Sequence, residues 1–224
     1  MSRESLLPIQ TKENIWTDKE LLRKTNVYDF DSLMHNLNEF KTSFVGMGYY
    51  GIVFRLQKPQ YNFDATLKLM RFNSLINAQD LTYLFKGPHI PQNAALIKLF
   101  LLTDFRNRTE YLTKNLAFVQ SAGHILGNIV APKHIDAPVA LWTRGNDLVG
   151  YSLPYLDGIP ERISKDKELN ILADELEGNY NLFLGSRGTT VIRGSKNAIL
   201  LNDGSKRFID VRLKNTEDFS IPNL

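Results

Sequence analysis

The stretch Gly46-Met47-Gly48-Tyr49-Tyr50-Gly51-Ile52-Val53 places three glycines and a valine in the pattern G-x-G-x-x-G-x-V. Glycine has no Cβ, so a hairpin built around these residues can close tightly over phosphate groups. Lys68 follows the last glycine by 17 residues and lies in an apolar segment, where its charge needs a partner. The pattern therefore favours a phosphate-binding hairpin followed by a lysine-bearing strand. An ordinary tight hairpin and a solvated strand-edge lysine are the alternatives.

Hydrophobic periodicity predicts five strands, one central helix and a second group of elements. The predicted strands cover residues 42–45, 52–56, 65–70, 139–142 and 148–153. A short helix is expected after Asp29, a longer one at 107–120, extended structure at 127–132 and a mostly helical segment at 163–183. Residues 154–160 are the candidate linker, and a hairpin around 202–204 follows, with strands at 198–201 and 207–209.

The composition excludes several functional classes. The chain has 224 residues, of which 43% are hydrophobic, so it can bury a substantial core. Its formal charge of +3 is mild, and we expect no nucleic-acid partner. Because there is no cysteine, disulfides and thiolate chemistry are excluded. The first residues predict no signal peptide, and no apolar run is long enough to span a bilayer, so we expect a cytoplasmic protein without a membrane partner.

The order of these elements resembles the protein-kinase fold. The resemblance is carried by the glycine pattern with Lys68, and by Asn197-Ala198-Ile199-Leu200-Leu201 followed, 13 residues after Asn197, by Asp210-Val211-Arg212. It implies an α+β, two-lobed fold with a five-stranded antiparallel sheet and a helix in the N-lobe, and a reduced, mostly helical C-lobe. The implied domains are a leader with a short helix at 1–40, an N-lobe at 41–157 with an insertion at 71–105, and a C-lobe at 158–224 that keeps remnants of the catalytic and metal-binding loops.

The resemblance also implies roles for individual residues, with ATP and Mg²⁺ as cofactors. Residues expected to bind the nucleotide are Gly46, Gly48, Gly51, Val53, Lys68, Glu110 and Tyr155. Glu110 is the candidate helix carboxylate that holds Lys68, although a glutamate on a helix face is often only solvated. Asn197 and Asp210 are the expected metal ligands, and a turn-starting role is the alternative for Asp210.

The departures from the family pattern determine the expected mechanism. Kinases use an aspartate in the catalytic loop to accept the proton of the substrate hydroxyl. Ile192 stands at the corresponding position, five residues before Asn197, so no residue is assigned a catalytic role. Val211 and Arg212 replace the phenylalanine and glycine that follow the metal-binding aspartate. Twelve residues follow Arg212, so we expect the activation segment and the peptide-binding helical half to be missing.

These observations predict an ATP-binding pseudokinase that acts as a regulator or scaffold for an unidentified protein partner. The alternative is an active protein Ser/Thr kinase or nucleotidyl transferase with an atypical catalytic loop, because metal electrostatics and positioning supply most of the catalysis in phosphoryl transfer. A third class is a pure interaction module with an empty nucleotide cleft. Retention of Lys68, Asn197 and Asp210 together argues against that class.

Overall fold

The computed structural model describes residues 10–12, 26–48, 51–70, 75–85, 110–161, 166–184, 190–191 and 197–213. At 10–12, 110–115, 129–130, 179–184, 190–191 and 213 it describes the backbone alone. The helices are α1 (Phe30–His35), α2 (Ala78–Leu84), α3 (Glu110–Val130) and α4 (Lys167–Leu184). The strands are β1 (Gln10–Lys12), β2 (Val27–Asp29), β3 (Lys41–Met47), β4 (Gly51–Lys58), β5 (Phe63–Met70), β6 (Ala140–Arg144), β7 (Asp147–Ser152), β8 (Gly158–Glu161), β9 (Thr190–Val191), β10 (Ala198–Leu201), β11 (Lys206–Phe208) and β12 (Arg212–Leu213).

The described elements form a mixed α and β fold, which confirms the α+β class. The main sheet has seven strands in the order β1-β2-β6-β7-β5-β4-β3. The five predicted strands are neighbours in it and pair antiparallel, with β4 opposite both β3 and β5. The prediction of a five-stranded, purely antiparallel sheet was wrong in extent, because β1 and β2 enlarge the sheet and β2 pairs parallel to β6.

Residues before the glycine hairpin belong to the same core as the sheet. Val27 and Tyr28 of β2 are buried, and Asp29 caps α1 by accepting a hydrogen bond from the Ser32 N–H at 2.7 Å. The apolar face of α1 and the turn after it then packs on one face of the sheet, as its i, i+3, i+4 pattern predicts. Its buried members are Phe30, Leu33, Leu37 and Phe40.

Helix α3 is longer than predicted. The prediction of extended structure at 127–132 was wrong. The helix continues to Val130, and the Ala131 N–H still donates to the Gly127 carbonyl at 2.7 Å. The helix ends just before Pro132, whose ring disfavours helical backbone at the residue that precedes it. Buried apolar residues of α3 cover the face of the sheet opposite α1, and they include Leu116, Ala117, Val119, Ala122, Ile125 and Leu126.

The candidate linker leads directly into a second, three-stranded sheet. Its order is β11-β10-β8, so the end of the predicted linker is itself a strand. β10 and β11 form the predicted hairpin, with Gly204 at a φ of +81° in the turn. Ala198, Phe208 and Val211 are buried against the α3 side of the main core. This packing brings the Asn197–Asp210 region against α3.

In the described ranges, no helix combines the length and hydropathy needed to cross a membrane.

Candidate functional site

The glycine hairpin closes through its backbone. Gly46 pairs with Val53 across β3 and β4, and the Gly48 N–H donates to the Gly51 carbonyl at 2.8 Å. An added Cβ at Gly51 would lie 2.7 Å from the Leu69 carbonyl oxygen and 3.3 Å from Cε of Lys68, so this glycine is needed where the hairpin crosses the lysine strand. An added Cβ at Gly46 or Gly48 would meet no described atom within 4 Å. Among the described residues, the positions that a side chain would occupy at these two glycines are therefore open.

Lys68 is buried beneath this hairpin, on the face of β5 that also presents Val53 of β4. Only 7% of the residue is exposed, and its Nζ contacts Oδ1 of Asp210, which lies 142 residues further along the chain. Burial lowers the pKa of the Lys68 ammonium to about 7, and the adjacent carboxylate acts in the opposite direction by favouring the charged form. The ammonium is stabilised by the negative group that faces it.

The backbone of Asp210 has a left-handed conformation that few non-glycine residues adopt. Its φ is +60°, and such strain is maintained only where the surroundings fix it. The preceding Ile209 N–H donates to the Asn197 carbonyl at 2.8 Å. On the other side, an added Cβ at Gly123 of α3 would lie 2.8 Å from the Val211 carbonyl oxygen. Helix α3 and the β10–β11 hairpin therefore hold Asp210 toward Lys68 from both sides.

Asn197 and Asp210 supply the oxygen donors of the predicted metal site. A carboxylate and an amide oxygen suit Mg²⁺, which commonly completes its shell with water and substrate phosphates. Within the described ranges, no group of three or more His, Asp or Glu side chains is arranged to hold a metal ion. The donor set fits a cation shared with a phosphate ligand better than a cation held by the protein alone.

A buried polar group lies behind Lys68, between β7 and α3. Tyr151 pairs with Lys68 across the sheet, and the centroid of its ring lies 6.0 Å from Nζ. Its hydroxyl donates to Oε1 of Gln120 at 3.0 Å, and the His124 ring lies 5.9 Å from the Tyr151 ring. Sequence reasoning missed Gln120 and His124. Their signal was two polar residues spaced i, i+4 within the mostly apolar stretch 116–127 of that helix.

Glu110, the predicted partner of Lys68, begins α3, and its side chain lies outside the described residues. Its backbone is ten residues before Gln120, which corresponds to about 15 Å along a helix axis. Among the described side chains, Asp210 is the carboxylate within ion-pair distance of Lys68. The predicted ion pair with Glu110 stays a prediction. Ile192 also lies outside the described residues.

The segment after β7 leaves part of a strand edge open. The Thr66 N–H donates to the Leu153 carbonyl at 2.8 Å, and the Tyr155 N–H donates to the Asp64 carbonyl at 3.2 Å. The isolated bridge between Ala65 and Pro154 therefore turns the carbonyl of Pro154 away from β5. Pairing with β6 ends near Ser152, so this outward edge lacks a neighbouring strand among the described elements. The edge therefore offers the Pro154 carbonyl to a ligand as a hydrogen-bond acceptor.

Tyr155, predicted to bind the cofactor, lies at this edge. The Cζ atom of Arg55 is 3.7 Å from the centroid of the Tyr155 ring, and the Arg55 Nε–H donates to Oδ1 of Asp64 at 2.8 Å. Arg55 lies opposite Thr66 in the β4–β5 register, two residues along from Val53 and Lys68. Alternate residues of a strand share a face, so the Arg55–Tyr155 stack and Lys68 lie on the same side of the sheet.

The sequence matches no protein-family model, and no curated protein matches it closely enough to be a relative.

Proposed function

We propose that this chain is an ATP-binding, protein-kinase-like domain of two lobes that acts mainly through binding, as a pseudokinase regulator or scaffold. The observation that supports this most strongly is the meeting of Lys68 and Asp210 beneath the glycine hairpin, although they are 142 residues apart. In phosphoryl-transfer proteins of this type, a lysine on the third strand pairs with phosphates and an aspartate holds Mg²⁺. Here Lys68 stands on β5, the third strand of the antiparallel run.

The remaining described groups suit the other parts of the same ligand. The open edge at Pro154 can hydrogen-bond the rim of a base. Thr66 lies between that edge and Lys68 on the Lys68 face of the sheet, and Val53 lies opposite Lys68 on β4. Each strand residue rises about 3.3 Å, so the three residues from Lys68 to Ala65, which lies opposite Pro154, correspond to about 10 Å between the phosphate end and the base end of the proposed site. Mg²⁺, when bound by Asp210 and Asn197, would neutralise phosphate charge.

The test of this proposal is nucleotide-dependent thermal stability. ATP at about 100 times its Kd, with Mg²⁺, should stabilise the folded chain by about 2.7 kcal/mol and raise Tm by roughly 5–10 °C. Lys68→Ala removes the charge that faces the phosphates and should reduce this rise by more than half. Lys133→Ala, which removes the same charge from an exposed loop, is the matched control. Tm is measured by scanning fluorimetry and checked by calorimetry.

The outcome that contradicts nucleotide binding is equally clear. Folded wild-type protein that shows no Tm rise at millimolar ATP with Mg²⁺ would favour a pure interaction module with an empty cleft. A full rise in the Lys68→Ala variant would place the nucleotide elsewhere on the molecule.

Active transfer is the second candidate, since the Lys68–Asp210 contact also suits a working phosphotransferase. The sequence has Ile192 where a general base is expected, and loss of a general base typically slows a reaction by about 10² to 10⁴-fold. We therefore expect no label from γ-labelled ATP on the chain or on proteins of a lysate. Labelling that disappears in both Lys68→Ala and Asp210→Ala would establish kinase activity. Labelling from α-labelled ATP alone would establish nucleotidyl transfer.

A further inference from the structure

The two partners of the Lys68–Asp210 contact are buried very differently. The side chain of Lys68 is 9% exposed, whereas that of Asp210 is 41% exposed. Asp210 can therefore turn toward water without losing its hydration, but Lys68 cannot. If the carboxylate leaves, another negative group must replace it at the ammonium.

The described polar groups behind Lys68 are uncharged. The Tyr151 ring of β7 lies 6.0 Å from Nζ, and from α3 Gln120 accepts the hydrogen bond of the Tyr151 hydroxyl while His124 lies against the Tyr151 ring; all three residues are buried. The Nδ1 atom of His124 lies 3.0 Å from the Asp136 carbonyl, which only accepts, so Nδ1 carries the proton and Nε2 is an unprotonated acceptor. Burial lowers the pKa of His124 to about 3, and the Lys68 charge acts in the same direction. The described part of α3 therefore offers Lys68 no carboxylate.

We propose that Lys68 and Asp210 mask each other, so that polyphosphate and a divalent cation must open the contact together, and that the uncharged group of Tyr151, Gln120 and His124 behind Lys68 is what leaves it to Asp210. The inference rests on the proposed nucleotide site and adds a regulatory property to it. Each ligand alone meets a group that is already neutralised. Bound together, the phosphate takes the ammonium and the cation takes the carboxylate, so no charge is left unpaired.

The backbone around Asp210 supports a contact that can change partners. Ile209 is held by the Asn197 carbonyl at 2.8 Å, and Val211 is buried against Gly123 of α3. Only the side chain of Asp210 needs to rotate between Lys68 and a cation, while its neighbours stay in place. The strained φ of +60° at Asp210 matches a residue whose position is fixed by both flanking contacts.

Binding of inorganic tripolyphosphate without metal tests the mask directly. The wild-type chain in EDTA should bind this anion weakly, and Asp210→Asn should bind it at least about tenfold more tightly, because Lys68 is then free to make charge-assisted hydrogen bonds. Asp203→Asn removes the same charge from an exposed turn and should change the affinity by less than about twofold. Combining Lys68→Met with Asp210→Asn should abolish the gain. Affinities are measured by isothermal titration calorimetry.

Gln120→Glu tests the proposed cause of the mask. A carboxylate at this position should compete with Asp210 for Lys68, so the ratio of tripolyphosphate affinities with and without Mg²⁺ should fall severalfold. Tyr151→Phe removes the hydrogen bond to Gln120 without adding charge and serves as the control. Should Gln120→Glu fail to fold, the Asp210→Asn comparison still decides the mask, because that residue lies outside the buried group.

The outcomes separate the mask from the nucleotide site. If ATP stabilises the wild type but Asp210→Asn binds tripolyphosphate no more tightly than Asp203→Asn does, the mask is wrong and the proposed function stands. If neither ATP nor tripolyphosphate binds the wild type or any variant, both proposals are wrong.

Discussion

Replacing Arg144 with methionine is expected to lower the free energy of unfolding by about 3–5 kcal/mol, because it leaves a nearly buried carboxylate without its counter-charge. Arg144 Nη1 donates to Oδ2 of Asp80 at 2.8 Å, and its Nη2 donates to Oδ1 of Asp31 at 2.7 Å. It also donates to the Leu75 carbonyl and lies over the Phe30 ring. The side chain of Asp80 is only 8% exposed. One arginine thus joins α1, α2 and the β6–β7 turn.

Urea denaturation at pH 7, followed by tryptophan fluorescence, to which the fully buried Trp142 contributes, measures this loss. Arg55→Met is the matched control, since its ion pair with Asp64 is partly exposed and should contribute no more than about 1 kcal/mol. Adding Asp80→Asn to Arg144→Met should recover part of the loss, because the unpaired charge is then removed. A loss below about 1 kcal/mol for Arg144→Met would show that the cluster does not hold these elements together.

Acidification is expected to destabilise the fold through His124. Its pKa is lowered to about 3 in the folded chain by burial, compared with about 6.5 when unfolded. The unfolded chain therefore binds more protons between these values, so stability contributed by neutral His124 is complete above pH 6.5 and is lost as the pH falls toward 3. Between pH 7 and pH 4.5 this single residue should reduce the free energy of unfolding by roughly 2–3 kcal/mol.

The comparison of wild type with His124→Gln isolates this contribution from that of the carboxyl groups. Asp136 is included among these, since burial raises its pKa while Arg207 opposes the shift. The stability difference between the two proteins should change by roughly 2–3 kcal/mol between pH 7 and 4.5. His35→Gln, at an exposed position, is the matched control. A difference that does not change with pH would mean that His124 titrates in the folded protein as it does in the unfolded chain.

Local patterns predicted most of the strands and the chain order of the elements that carry the candidate site. Alternating burial in β4 and the hairpin around Gly204 follow from side-chain period and turn chemistry, which a sequence displays directly. The spacing from Asn197 to Asp210 placed both residues at one hairpin, and the glycines with Lys68 placed β3, β4 and β5 in order. These are relations between residues that are close along the chain.

The errors concern relations that a local pattern does not determine. Extended structure was predicted from Gly127 onward, but Gly127 is buried inside α3, where packing offsets a helix cost of about 1 kcal/mol. The parallel pairing of β2 with β6 depends on contacts between distant parts of the chain. Gln120 was assigned to no function because the polar residues of α3 do not reveal in sequence which buried hydroxyl each of them meets.

The parallel pairing of β2 with β6 has a consequence for folding during synthesis, because the two strands are far apart in the chain. Tyr28 of β2 is fully buried, and its carbonyl accepts a hydrogen bond from the Thr143 hydroxyl. Thr143 is synthesised 115 residues after Tyr28. At about 5–20 residues per second, a ribosome needs roughly 6–23 seconds to add that length. During this interval the apolar strand at 27–29 has no β6 to pair with. Until β6 has been synthesised, this edge of β2 is unpaired and open to non-native strand pairing.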